Sequence, residues 1–120
     1  MNPILKSLYP AFLRAHILHH AAEGPIYGVE MIEELGRHGY RLSPGTLYPI
    51  LHTLERGGYL KQRSMVVGGR ARKYYAITAL GRKTLREIKI KVWELAREVL
   101  DDTPRSSSSR PARPGRAVGR

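Results

Sequence analysis

A chain of 120 residues, 42% apolar and 26% charged, has the composition of one small folded domain rather than of a disordered chain. Its 21 Lys and Arg against 10 Asp and Glu give a formal net charge of +11. Such an excess favours an anionic partner, although the last stretch alone carries Arg105, Arg110, Arg113, Arg116 and Arg120 and leaves about +6 ahead of it. The lack of cysteine excludes disulfides and thiolate zinc centres, no apolar run approaches the roughly 20 residues of a membrane span, and MNPILKSLYP lacks the charged start and apolar core of a signal peptide, so the expected location is the cytoplasm.

The first element is expected to begin near Pro10, whose fixed φ suits a first helical turn, and to run to the breaker Glu23-Gly24-Pro25. Leu13, Ile17 and Ala21 share one face of it, flanked by Leu18. A second helix from about Gly28 to Arg37 is expected to turn Val29, Ile32 and Leu35 inward and Glu30, Glu33 and Glu34 toward water, with His38-Gly39-Tyr40 closing it. The third helix has the clearest start: Ser43 can cap free N–H groups and Pro44 occupies the first helical position, where its missing N–H costs nothing. Leu47, Ile50, Leu51 and Leu54 form one apolar stripe, leaving Gly45, Thr46, Tyr48, Pro49, His52, Thr53 and Arg56 opposite. Pro49 cannot donate to the carbonyl of Gly45, which predicts a bent or irregular start, and Gly57-Gly58 ends the helix.

Tyr59 to Val67 and Arg72 to Ile77 are rich in β-branched and aromatic residues and are separated by Gly68-Gly69, the pattern of a β-hairpin. A fourth helix is expected from Thr78 to about Leu100, ended by Asp101, Asp102 and Pro104. Within it Leu85, Ile88, Val92, Leu95 and Val99 are spaced three and four apart, an a/d seam that calls for another helix. Past Pro104 the chain is Ser, Arg, Pro and Gly with almost nothing to bury, so 103–120 is expected to be a disordered basic tail.

Three helices followed by a hairpin describe a winged helix-turn-helix, mainly α with a small β wing, whose third helix enters the major groove of DNA. The chemistry agrees. Thr46, Tyr48 and His52 are hydrogen-bonding side chains on the exposed face of that helix, and its start offers N–H groups to a phosphate. From Arg56 to Lys73 there are six basic residues and no acid (Arg56, Lys61, Arg63, Arg70, Arg72, Lys73). The domain boundaries expected are 1–78 for the DNA-binding unit, 79–102 for a dimerisation helix and 103–120 for the tail. A seam left open on a chain this short is covered most economically by a second copy, and a two-fold dimer predicts a palindromic operator. The competing reading is a basic winged-helix module that binds RNA or an acidic protein partner. An enzyme is disfavoured, because there is no Gly-rich phosphate loop, no Ser-His-Asp arrangement and no carboxylate pair in a recognisable cleft.

The strings Gly24-Pro25-Ile26-Tyr27-Gly28-Val29-Glu30-Met31-Ile32, Leu42-Ser43-Pro44-Gly45-Thr46-Leu47-Tyr48-Pro49-Ile50-Leu51 and Gly69-Arg70-Ala71-Arg72-Lys73-Tyr74-Tyr75-Ala76-Ile77-Thr78 closely resemble the PadR-type transcriptional regulators, over most of positions 8 to 100. The resemblance implies a winged-helix repressor that binds its operator as a homodimer through its first and last helices. Carried over residue by residue, it points to Tyr27, Ser43, Thr46, Tyr48 and His52 as helix-turn-helix contacts to DNA and to Arg70, Arg72 and Lys73 as the wing. One of Tyr74 and Tyr75 is expected to pack in the core. The dimer contact is expected at Leu13 and Ile17 of the first helix and Leu85, Ile88, Val92, Leu95 and Val99 of the last. The single C-terminal helix resembles the short subgroup of the family, in which an aromatic in that helix can line a cavity between subunits. Trp93, the one tryptophan, is thereby the residue to stack on a small apolar or aromatic effector. His16 and His20 are grouped with it. They stand one turn apart, with Glu23 beyond, but two imidazoles and one carboxylate are too few ligands to assign a metal, and no cofactor is assigned.

Overall fold

The structure is a computed structural model and describes residues 1–101. Its elements are α1 (Pro3–Glu23), α2 (Gly28–Gly36), α3 (Pro44–Arg56), β1 (Leu60–Val67), β2 (Arg70–Ile77) and α4 (Ala79–Val99). The expected tail, 103–120, and the end of the expected 79–102 segment lie outside the described residues.

α1 starts seven residues before the expected Pro10. Asn2 is its N-cap, with the side-chain oxygen accepting from the N–H of Leu5 at 2.9 Å, and Pro3 rather than Pro10 takes the proline-tolerant first turn. Pro10 lies inside the helix. The helix therefore carries extra N-terminal turns whose Ile4, Leu5, Leu8 and Tyr9 remain exposed, as does Phe12 just beyond them.

In α2 the inward stripe is Gly28, Met31 and Leu35, not the expected Val29, Ile32 and Leu35. Val29 is 69% exposed, and Ile32 is only partly buried against the core. A nine-residue helix permits either phase by periodicity, and Tyr48 decides it: a Cβ on residue 28 would overlap that ring, so the glycine edge faces α3. Both α2 and α3 end in the same hydrogen-bond pattern. Tyr40 N–H donates to Leu35 O and Gly39 N–H to Gly36 O, each at 3.1 Å, while Tyr59 N–H donates to Leu54 O and Gly58 N–H to Glu55 O, each at 2.9 Å. The residue at the turn has φ +90° at Gly39 and +85° at Gly58, a conformation that glycine adopts without strain.

β1 and β2 pair antiparallel, from Leu60 opposite Ile77 to Val67 opposite Arg70, around Gly68 and Gly69 at φ +61° and +79°. Two positive φ angles in a two-residue loop match the twist of the strands, which is why Gly-Gly is suited to the tip. Ile26 adds a single antiparallel bridge to Tyr75, so the loop before α2 is stitched to the base of the hairpin. Thr78 then joins wing to helix: its hydroxyl donates to the carbonyls of Gly58 and Tyr59 and accepts from Gly81 N–H at 3.0 Å, capping α4.

The core combines Leu13, Ile17, Leu18 and Ala21 of α1 with Met31 and Leu35 of α2, Leu47, Leu51 and Leu54 of α3, Leu60, Tyr75 and Leu85, together with Ile26 and Tyr40. Each fully buried aliphatic side chain contributes about 1.5–3 kcal/mol relative to exposure. Leu85 belongs to this core and Ile88 packs against it, so the N-terminal part of α4 is held by the same apolar cluster as the preceding helices.

Candidate nucleic-acid interface

α3 is held from behind by Leu47 and Leu51, both without solvent exposure, and by Leu54, which leaves Gly45, Thr46, Pro49, His52 and Thr53 facing outward. Ser43 occupies the N-cap position, but its side chain makes no capping bond to the backbone; its hydroxyl instead lies 3.3 Å from that of Thr46. The expected serine cap is therefore absent, and the two hydroxyls stand together at a helix start that has no side-chain cap of its own. That arrangement suits an oxyanion acceptor such as a phosphate. Pro49 does not end the helix, which continues to Arg56, with the Thr53 hydroxyl donating to Pro49 O at 2.9 Å.

Tyr48 is not a free surface residue. Its ring lies half-buried on Gly28, 6.4 Å from the His52 ring, and ties the start of α2 to the middle of α3. His52 is exposed. Tyr27 is likewise built in: it packs near Tyr74 at 5.9 Å between ring centroids, and its hydroxyl is 3.7 Å from the sulfur of Met65. Arg72 covers it, with the guanidinium 4.3 Å above the ring and 3.8 Å from Glu30.

The three wing cations expected as a group divide. Strand alternation places Arg70 and Arg72 on the same face as Arg63 and Lys61, and Lys73 on the other. Arg70, at the tip, carries no ion pair among the described residues, whereas Arg72 is held over Tyr27. Of the two tyrosines, Tyr75 is the core residue; its hydroxyl accepts from Gln62 Nε2 at 3.1 Å, and burial pushes its pKa up.

The residues expected at a subunit contact also divide. Leu13, Ile17 and Leu85 are buried in the chain's own core, and Ile88 is partly buried there as well. Val92, Leu95 and Val99 are exposed, joined by Ile90, Trp93 and Leu100. The added N-terminal turns of α1 bring Ile4, Leu5 and Leu8, which lie ahead of the expected start at Pro10, alongside the exposed Phe12; the Asn2-Pro3 pair is the sequence signal of that earlier start. Trp93 is 65% exposed, and the Arg97 guanidinium lies 6.0 Å from its ring centre. His16 and His20 stand apart from it, gathered instead with His38: the His16 and His38 rings stack at 4.6 Å and the Tyr40 ring meets His16 edge-on at 5.2 Å. Burial, then His38, His20 and His19, hold His16 below the ordinary histidine pKa.

A helix-turn-helix with its second helix presented outward, followed by a basic two-stranded wing, defines a winged helix-turn-helix protein. Comparison places it more narrowly. The model of the transcriptional regulator PadR-like family matches residues 17–87, and the chain belongs to that family. It is 51% identical over 96 residues to the transcriptional regulator Rv3488 of Mycobacterium tuberculosis, covering 80% of this chain and 90% of that protein. Among solved structures, a PadR family regulator from Eggerthella lenta superposes with a TM-score of 0.67 at 29% identity, covering 83% of this chain and 91% of the other. A PadR-like regulator from Bacillus cereus gives 0.68 at 27% identity, covering 85% and 100%. The protein is a transcriptional regulator rather than an enzyme. No helix among the described residues is long and apolar enough to cross a membrane.

Proposed function

We propose that the chain is a sequence-specific repressor that binds a palindromic operator as a homodimer and is released by a small-molecule effector. The observation that carries the DNA reading is the junction of two elements: the exposed α3 face bearing Thr46 and His52, and the wing with Arg63 and Arg70 beside it. A helix of this kind reads base edges in the major groove while wing cations meet phosphates. Tyr48 and Tyr27 support that reader from beneath, the first by fixing α2 on α3 and the second by seating the wing.

The apolar halves of α1 and α4 support the dimer. Two long helices expose Ile4, Leu8 and Phe12 on one and Val92, Leu95 and Val99 on the other, a surface that a monomer would leave in water. An isologous pair buries it on both copies and relates two readers by a two-fold axis, which makes the operator palindromic. Trp93 stands on that surface, where a flat apolar ligand between subunits would alter reader spacing. A gel-shift comparison of the gene's own promoter, a random duplex and a structured RNA tests the reading. Preference for the promoter supports it; equal affinity for all three at moderate salt overturns it.

A further inference from the structure

We propose that His16, His20, His38 and Glu34 form a binding site for one divalent transition-metal ion of the zinc class, bridging α1 to the end of α2. Sequence spacing alone offered two histidines and Glu23 on one helix. The fold supplies what was lacking, because the turn after α2 brings His38, and α2 itself brings Glu34, onto the same spot.

One nitrogen from each of His16, His20 and His38 lies within 4.8 Å of the other two. Glu34 Oε2 lies 3.8 Å from His20 Nε2 and 3.7 Å from His38 Nε2. Ligands about 2.0–2.1 Å from a tetrahedral zinc stand about 3.3 Å from one another, so the three imidazole nitrogens stand near ligand spacing and the Glu34 carboxylate lies beside two of them. Three imidazoles and one carboxylate are a donor set that suits zinc and its neighbours rather than calcium or magnesium.

The surroundings of His20 point the same way. Its Nε2 is buried and has no hydrogen-bond partner, which costs free energy unless something accepts its lone pair or its proton. Its Nδ1 lies 3.5 Å from Glu23 Oε1. With that carboxylate beside Nδ1, Nε2 is the nitrogen left to face the cluster, the arrangement in which an outer carboxylate orients a metal-binding histidine. Glu34 is oriented in the same manner: its Oε1 is paired with Arg37, which turns Oε2 toward the imidazoles. A cleft of about 280 Å³, lined in part by His20, Glu23, Glu30 and Glu34, opens beside the cluster and gives an ion an acidic path in.

An ion here would pin α1 to the turn that leads into α3. If α1 also forms the subunit contact, a point that rests on the proposed function, metal binding would fix the two readers relative to each other. The test of the site does not depend on that reading. Tag-free full-length protein, stripped with a chelator and titrated calorimetrically with zinc, is expected to bind one ion per chain, and cobalt in its place to give the intense visible absorption of a tetrahedral centre. His38→Ala removes a ligand from the surface, and circular dichroism checks that it folds. It is expected to weaken zinc by more than the roughly 10–100-fold that loss of an outer partner costs, with His16→Ala behaving alike. His19→Ala, which lies outside the four, is expected to stay within about twofold of the parent, since His19 touches Glu23 and none of the proposed ligands except its neighbour His20. No saturable binding by the parent, unchanged affinity in His38→Ala, or an equal loss in His19→Ala overturns the proposal, the last by moving the ion to His19, His20 and Glu23.

Discussion

Arg70 and Arg72 sit two residues apart on one strand, yet the structure gives them unequal work on DNA. Arg70, at the wing tip, has no ion pair among the described residues, whereas the Arg72 guanidinium is engaged 4.3 Å over Tyr27 and 3.8 Å from Glu30. Each phosphate contact contributes about 0.9 to the slope of log affinity against log salt. Arg70→Ala is therefore expected to flatten the slope by about 0.9, so that between about 50 and 200 mM salt the variant loses about 3.5-fold less affinity than the parent does. Arg72→Ala should change the slope by less than half of that, about 0.4 or under. Its loss is instead expected at every salt concentration, about two- to fivefold, the equivalent of the roughly 0.5–1 kcal/mol that an exposed cation–π contact contributes to seating the wing. Fluorescence anisotropy on a labelled promoter duplex across a salt series measures both quantities. Equal slope changes for the two variants, or none for Arg70→Ala, would refute the division of labour drawn from the wing.

Leu95→Asp places a charge in the exposed seam of α4 at a residue 58% exposed in the single chain, so the fold is expected to survive while the protein sediments as a monomer and loses operator affinity. An unchanged dimer would remove the seam from the interface. His52→Ala, at an exposed position, should alter stability by no more than about 0.5 kcal/mol but reduce discrimination between operator and random duplex by about 1–3 kcal/mol if His52 reads a base, as competition binding would show. Tyr48→Phe keeps the ring on Gly28 and tests the hydroxyl alone, which Tyr48→Ala cannot do because it also unseats α2. Leu47→Ala, at a side chain with no exposure in the centre of the core, is expected to cost about 2–5 kcal/mol in denaturant unfolding, and a cost below 1 kcal/mol (roughly an exposed site's) would contradict the packing of α3.

Much of the fold could be read from the sequence because local and tertiary signals agreed. The α3 stripe of Leu47, Leu51 and Leu54, the Gly68-Gly69 tip and the Thr78 start of α4 each combine a periodic or turn signal with the matching burial or bond. Where two local signals competed, only packing decided. Asn2-Pro3 and Tyr9-Pro10 both offer proline near a first turn, and the earlier one wins because Asn2 supplies a side-chain acceptor. α2 is short enough to accept either phase, and the ring of Tyr48 over Gly28 selects Met31 instead of Val29. The site was less legible for a related reason: side-chain type does not reveal who else needs that side chain. Tyr27, Tyr48 and Arg72 carry chemistry that suits DNA, but α2, α3 and the wing use them on one another. The histidine cluster joins His16 and His20 of α1 to Glu34 of α2 and to His38 in the turn after it, a relation no helical spacing encodes.

The most direct test of the central claim is a hydroxyl-radical footprint of the full-length protein on its own promoter. Two protected half-sites related by a two-fold axis are expected, with centres one helical turn or a whole multiple apart, about 10–10.5 base pairs per turn. Uniform protection along the fragment, or a single protected patch with no symmetry mate, would contradict that claim.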